Sequence, residues 1–341
     1  MPRLEEVFNT DELRNYFKER QEATMLGESL FPETKIADVE LDMILGSEGL
    51  PVSAEVHAYD TETKLASREA IEKGFAELAL IKNKIKITEK EIIKIQNPRT
   101  KAELQRTLER LYKDAEKMTK SIKVRIEAMR MELLSTGKIA INENNIKVTV
   151  DYKIPSANQK AYNWSNIETA TPLEDLKALA EAIEDTSSRP TRALTSRKIV
   201  NAICKCNSVK KAVHGINNDK PVTLKLLNEL LEELELPKLV TYDEKYRKET
   251  AKGYDTKRYY PENKITMFGN GALGETIYGL TAEEVKLIGN EKMDEASMLD
   301  NKIFVGTYTS IDPVGEFTKA AASVLPTLPH GEEVGIGTIT L

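Results

Sequence analysis

The chain has 341 residues, enough for two compact lobes or one elaborated domain. Its formal net charge of −6, with 30% charged residues, fits a water-soluble protein and argues against a surface built to clamp nucleic-acid phosphates. No run of 18 apolar residues exists to form a transmembrane helix. The acidic, amphipathic opening MPRLEEVFNTDELRNYF lacks the order of a secretory signal, so the expected compartment is a reducing cytoplasm.

Residues 1–49 read as a short helix, Asp11 to Ala23, followed by an extended arm. The arm carries Leu30, Phe31, Ile36, Val39, Leu41 and Ile44 and has nothing within itself to cover them. It needs the rest of its own chain or a neighbouring subunit. Residues 50–88 read as a β-ribbon. Val52, Ala54, Val56 and Ala58 alternate with polar residues, and a return strand is expected from Phe75 to Ile87. The connection between them, Thr61 to Gly74, is long and charged, with Lys64, Arg68, Glu69, Glu72 and Lys73.

Residues 98–136 give the strongest pattern. Asn97 is a fair N-cap, Pro98 suits the first helical position and Gly137 is a stop. Leu104, Leu108, Leu111, Ala115, Met118, Ile122, Ile126, Met129 and Leu133 form one stripe along about 58 Å of helix. Such a spine fits a coiled coil or a helix laid on a sheet. A hairpin, Lys138 to Lys153, follows it.

Residues 156–240 read as helical. One helix begins at Thr171-Pro172, a second runs from Ser196 to His214-Gly215, and a third begins at Thr223. The tyrosine-rich stretch 241–262 reads as a hairpin surface or an interface. Lys264 to Phe268 is a short strand, and further strands are expected at Ile303–Tyr308 and Val334–Leu341.

Gly269, Gly271 and Gly274 form a literal G-x-G-x-x-G after that short strand. A dinucleotide site needs a helix next, with its N-terminus on the pyrophosphate. Here Glu275-Thr276-Ile277-Tyr278-Gly279 follows, which is β-rich and puts a carboxylate where the phosphate belongs. The glycines read instead as a tight turn between strands. Cys204, Cys206 and His214 fall short of the four ligands of a structural zinc site. No nucleophile or acid–base motif stands out, so catalytic residues, metal and cofactor are all expected to be absent.

Four blocks in order resemble the capsid protein E family of lambda-like phage major capsid proteins. They are Leu30-Phe31-Pro32-Glu33-Thr34; Trp164-Ser165 with Pro172 and Asp175; Pro261-Glu262-Asn263 with Met267-Phe268-Gly269-Asn270, Gly274 and Tyr278-Gly279; and Pro313 with Glu316-Phe317-Thr318 and Pro326. The resemblance implies an α+β Hong Kong 97-type capsid fold with an N-terminal arm (1–49), an extended loop (50–88), a peripheral domain (89–155 and 310–341) containing the spine helix, and an axial domain (156–309). It further implies a major head protein in the virion, assembling through hexamers and pentamers into an icosahedral shell around double-stranded DNA without sequence-specific binding. The implied partners are other copies of itself, a scaffolding protein, a protease, a portal and a decoration protein, and no membrane. Subunit contacts are then expected at Leu30, Phe31, Ile36, Val39, Lys64, Arg68, Glu69, Glu72 and Lys73. Two other readings make different predictions: a nucleotide-dependent enzyme using Gly269 to Gly274, and a helical adaptor dimerising through 98–136.

Overall fold

The computed structural model describes residues 16, 24–38, 40–45, 72–143, 146–215, 220–250, 253–288, 298–299, 302–311 and 314–341. In chain order these form α1 (Leu26–Leu30), β1 (Glu33–Lys35), β2 (Glu40–Leu45), β3 (Glu72–Glu77), β4 (Ala79–Ile87), α2 (Glu89–Gln96) and α3 (Lys101–Thr136). Then come β5 (Lys138–Glu143), β6 (Ile146–Asp151), β7 (Gln159–Asn163), α4 (Pro172–Glu184), β8 (Arg192–Thr195), α5 (Arg197–Lys205), α6 (Asn207–His214) and α7 (Leu224–Glu233). The remainder is β9 (Lys238–Thr241), β10 (Lys245–Thr250), β11 (Gly253–Arg258), β12 (Lys264–Phe268), β13 (Thr276–Gly279), α8 (Ala282–Ile288), β14 (Met298–Leu299), β15 (Ile303–Ile311), β16 (Val314–Pro326) and β17 (Gly335–Thr340).

The chain divides into two compact units. The first comprises 1–41, 76–129 and 275–327; the second comprises 42–75, 130–274 and 328–341. These divisions differ from the lobes expected at 155/156 and 309/310, and strand pairing gives the reason. β13 pairs with β16, which carries 275–309 into the first unit. β17 pairs with β12 and β7, which carries the last strand into the second.

The first unit is a six-stranded sheet organised around the 13-residue β16. β4, β13 and β15 all pair antiparallel with it, and β1 adds parallel to β13. Ala320, Ala322 and Val324 share one face of β16 at strand spacing. They pack with Leu111, Ala115, Met118, Ile122 and Ile126 of the spine helix α3. Alanines on the strand let the helix axis approach closely. Each fully buried Leu, Ile or Met of the stripe contributes about 1.5–3 kcal/mol. The apolar stripe is thus covered by this chain's own sheet, which removes the surface a helical adaptor would need for dimerising.

The spine begins later than expected. Thr88 and Glu91 form a reciprocal capping box that starts α2, with Thr88 N donating to Glu91 Oε2 at 3.0 Å. Asn97 ends that helix, and its N–H donates to Ile93 O. Pro98 then disfavours helical backbone at Asn97, so α3 restarts with Thr100 Oγ1 accepting from Glu103 N at 3.2 Å. The strand expected from Phe75 to Ile87 is likewise two strands. β3 pairs with β2, whereas β4 joins the large sheet. Of the expected helix Asp11–Ala23 only Tyr16 is among the described residues, and it is helical; the ribbon strand at 52–58 lies outside them.

The second unit is a five-stranded sheet in the order β7-β17-β12-β8-β9. Four helices cover one face through Leu176, Leu179, Ile183, Ile199, Ile203, Val209, Leu227 and Leu231. Ser196 Oγ caps α5 by accepting from Ile199 N at 3.2 Å, and Thr223 Oγ1 accepts from Leu226 N at 3.4 Å. The single helix expected from Ser196 to His214 breaks at Cys206, whose backbone is extended. On the other face, Tyr260 is fully buried. Its hydroxyl lies 2.7 Å from Thr266 Oγ1, which donates to Leu134 O at the end of the spine. Among the described residues, no helix is long and apolar enough to cross a membrane.

Gly137 stops the spine at φ +70°, and a Cβ there would sit 2.7 Å from Ile154 Cδ1. Gly137→Ala therefore combines left-handed strain with overpacking. An expected loss of about 2–3 kcal/mol would appear as a lower urea midpoint with unchanged far-UV circular dichroism.

Candidate functional site

The glycine turn joins two strands. β12 runs into Gly269 and the next element is the strand β13 from Thr276, so the strand–glycine turn–helix order of a dinucleotide site is not followed. The turn's carbonyls point to a different purpose. Arg192 Nε donates to Gly269 O at 2.9 Å and its Nη2 donates to Gly271 O, while the guanidinium lies over the Phe268 ring. Gly271 has φ +85° and open space around it, so the residue is required by backbone conformation. Gly279 is required by packing, because a Cβ there would overlap Asp38 O and Leu78 Cδ1. Asn270 and Asn263 are exposed, and Pro261 and Phe317 are half-buried. Gly274 is buried, and the chain passes from the second unit to the first just after it.

The start of the arm folds back on its own chain. Leu30 and Phe31 are buried there. Phe31 O accepts from Thr276 Oγ1 at 2.9 Å, and Pro32 O accepts from Thr276 N at 2.8 Å. Three residues of β1 then pair with Thr276, Ile277 and Tyr278, and Ile36 N donates to Tyr278 O.

A three-residue parallel strand is weakly held by its ladder alone, and ionic contacts reinforce it. Glu33 accepts from Tyr278 Oη and Lys302 Nζ, both at 2.9 Å. Lys35 pairs with Glu284, which also accepts from Thr281 N at 2.7 Å to close a capping box at the start of α8. Next to it, Glu283 bridges Lys82 and Lys319. Upstream, the buried Glu127 of the spine accepts from Gly27 N at 2.9 Å. Arm, sheet and spine of the first unit are therefore tied together by charge-assisted bonds. Glu33 and Tyr278 stood in the family blocks, whereas Lys35, Lys82, Glu127, Glu283, Glu284, Lys302 and Lys319 were not singled out from the sequence. Thr281-x-x-Glu284 is a readable capping box, but the others pair across 36 to 269 residues and leave no local pattern.

Ile36 is half-buried. Val39, Lys64, Arg68 and Glu69 lie outside the described residues. Glu72 and Lys73 fall in β3, which pairs with β2. Trp164 is buried beside Tyr162, and its Nε1 donates to Asp175 Oδ2 at 2.6 Å, fixing the start of α4 to β7. Burial, with the Asp175 carboxylate nearby, pushes the Tyr162 hydroxyl up to about 12.

The first unit lays the spine helix on a sheet gathered from separated stretches of the chain, and the second backs a five-stranded sheet with four helices. The chain aligns with a putative prophage capsid protein of E. coli CFT073 at TM-score 0.64 and 16% identity, covering 98% of this chain and 99% of that one. A phage-related protein of Bordetella bronchiseptica RB50 aligns at TM-score 0.55 and 12% identity, covering 96% of each chain. The fold is the Hong Kong 97-type capsid fold. The model of the phage major capsid protein E family matches residues 9–335, and the chain belongs to that family. Its role is structural and capsid-forming. None of the curated proteins matches it.

Two expectations follow. Gly279→Ala should free the arm from β13, and limited proteolysis should then cut between residues 24 and 38 faster than in the parent. Gly271→Ala should cost about 1 kcal/mol without that change. The second concerns acid. Burial raises the Glu283 carboxyl, but Lys319 and Lys82 outweigh it and hold the group below its ordinary 4.5. A depressed carboxylate adds stability above that value, lost as pH falls through the folded one. The melting temperature of the parent should drop more steeply below pH 4.5 than that of Glu283→Gln, with the difference between them narrowing in acid.

Proposed function

We propose that this chain is the major head protein of a tailed phage or prophage, that it acts without catalysis, and that copies associate through five- and six-membered rings into a closed icosahedral shell around double-stranded DNA. The observation that carries this reading is the family match across residues 9–335, joined to a solved prophage capsid fold aligned over nearly the whole of both chains. The first compact unit would act as the peripheral domain and the second as the axial domain.

In this reading the mechanism is geometric. Each subunit makes several modest contacts, and once two are made the next becomes intramolecular and gains effective concentration. Ribbon residues Lys64, Arg68, Glu69, Glu72 and Lys73 reach a neighbour, as do Ile36 and Val39 at the end of the arm. A scaffolding protein, a protease, a portal and a decoration protein belong to the same proposal, as do assembly in the host cytoplasm and residence in the virion. The weakly acidic balance of the chain suits a wall along which packaged DNA slides.

Negative-stain electron microscopy of the purified protein, alone and with the product of a neighbouring scaffold gene, tests the class. Rings or closed shells are expected, and a small dimer under every condition would overturn it. Deleting Thr61 to Gly74 should reduce shell yield sharply while leaving the melting temperature of the unassembled subunit within about 1–2 °C. Unchanged shell yield would remove the ribbon from the proposal.

A further inference from the structure

We infer that the outer face of the β10–β11 hairpin docks on the acidic end of α7 in a second copy of this chain. This rests on the capsid reading. The two surfaces belong to the same compact unit, and each carries what the other lacks.

The hairpin register pairs Lys245 with Arg258, Arg247 with Thr256 and Glu249 with Tyr254, which puts these six on one face. Part of the opposite face is occupied by the chain itself, although Asp255 and Lys257 there are exposed. Tyr246 packs on Tyr259 at 4.9 Å between ring centroids, and Lys248 pairs with Glu143. Arg258 is also engaged, with Asp243 at 2.8 Å and Glu262 at 2.6 Å. What remains exposed of the first face is Lys245, Arg247, Glu249, Thr256 and Tyr254. Tyr254 is 68% exposed, and the Arg247 guanidinium lies 5.7 Å from its ring centroid. Lys245 and Arg247 make one end of this face basic beside an aromatic anchor, with Glu249 at the other end, and basic residues with an exposed Tyr suit a contact surface.

The other half of the contact is electrostatically misplaced within its own subunit. Glu229, Glu232 and Glu233 lie in the last turns of α7, and Glu235 follows it. A helix C-terminus carries partial negative charge and favours cations, yet the last turn of α7 holds no basic residue. Local relief comes only from exposed pairs: Glu232 with Lys238 at 2.8 Å, Glu235 with Arg189 at 3.3 Å and Glu229 with Lys225 at 3.8 Å. Such pairs are worth little and exchange readily. Leu234 and Val240, 46% and 54% exposed, supply apolar surface for an aromatic ring.

Both halves of this contact are unlike one another, so joining them is head-to-tail. Repeated head-to-tail contacts close into a ring when the rotation per subunit permits. Strand addition is the competing way for copies to join at this edge, and Asn228 opposes it. Its side chain takes both Leu239 N (2.9 Å) and Leu239 O (3.1 Å) on the edge strand β9. Charge and apolar contact are then left to make the junction.

Charge reversal tests this. The parent, Lys245→Glu/Arg247→Glu, Glu232→Lys/Glu233→Lys and the four-fold combination would be compared by sedimentation and negative stain, with scaffold, at about 0.15 M salt. The melting temperature of unassembled subunits controls for folding, and the milder Lys245→Gln/Arg247→Gln pair serves if a reversal unfolds. Each reversal alone should lose rings and shells, and the combination should restore them. Parental assembly by either reversal, or no rescue by the combination, would overturn the inference and leave the capsid reading standing. A parent that never assembles would overturn both.

Discussion

Everything in the first unit depends on the edges of one strand. β16 takes partners from residues 79–87, 276–279 and 303–311. Its inward face of Ala320, Ala322 and Val324 is the floor on which the spine helix lies. Small side chains here have a cost and a return. They bury less apolar area each than Leu or Ile, but they bring the strand backbone close to the helix. The large residues of the spine then fill the space between. Because the partners lie up to about 240 residues from β16 in the chain, the sheet closes only after long loops have been ordered. Such topology folds slowly and leaves strand edges open meanwhile.

What the sequence made legible was whatever repeats locally. The spine stripe from Leu111 to Leu133 follows a 3.6-residue period and is buried along its length. Gly137 ends the helix in a left-handed conformation, Ser196 and Thr223 cap theirs, and Lys264 to Phe268 is a strand with the expected bounds. The family blocks were legible too, since Trp164, Gly269, Gly274 and Tyr278 each sit where the chain turns or is pinned. What was not legible is pairing at a distance. Asn97-Pro98 can open one helix or close another, and only the Thr88–Glu91 capping box upstream decides for closure. Residues 79–87 show the alternation of a ribbon strand and of a sheet strand equally, and the choice is made by β16. Leu30 and Phe31 were apolar and uncovered in sequence; both are buried, and the Phe31 carbonyl is held by Thr276, 245 residues away.

The glycine pattern shows how little a spacing says without its context. A dinucleotide fold and this chain both need a backbone that turns after a strand, and both use glycine for it. The difference is the next element. A helix would aim N–H groups at a phosphate, whereas here Arg192 gathers the carbonyls of Gly269 and Gly271. A guanidinium satisfying carbonyls is a structural arrangement, because it neutralises the acceptors of the turn and leaves no donor array for an anion.

The two ways this subunit uses charge fit its role. Inside the first unit, Glu33, Glu283 and Glu284 are paired at short range with lysines, partly withdrawn from solvent, where screening is weak and geometry is fixed. These bonds hold the arm strand to its own subunit and persist in salt. On the second unit, the exposed charges of the β10–β11 face and the α7 end would, in the contact inferred above, form pairs that salt screens. A shell that closes without trapping errors needs both kinds. The subunit must keep its shape through many encounters, while each contact between subunits stays weak enough to break when only one is made. Placing the rigid pairs within the subunit and the exchangeable ones on its surface separates those two demands in one chain.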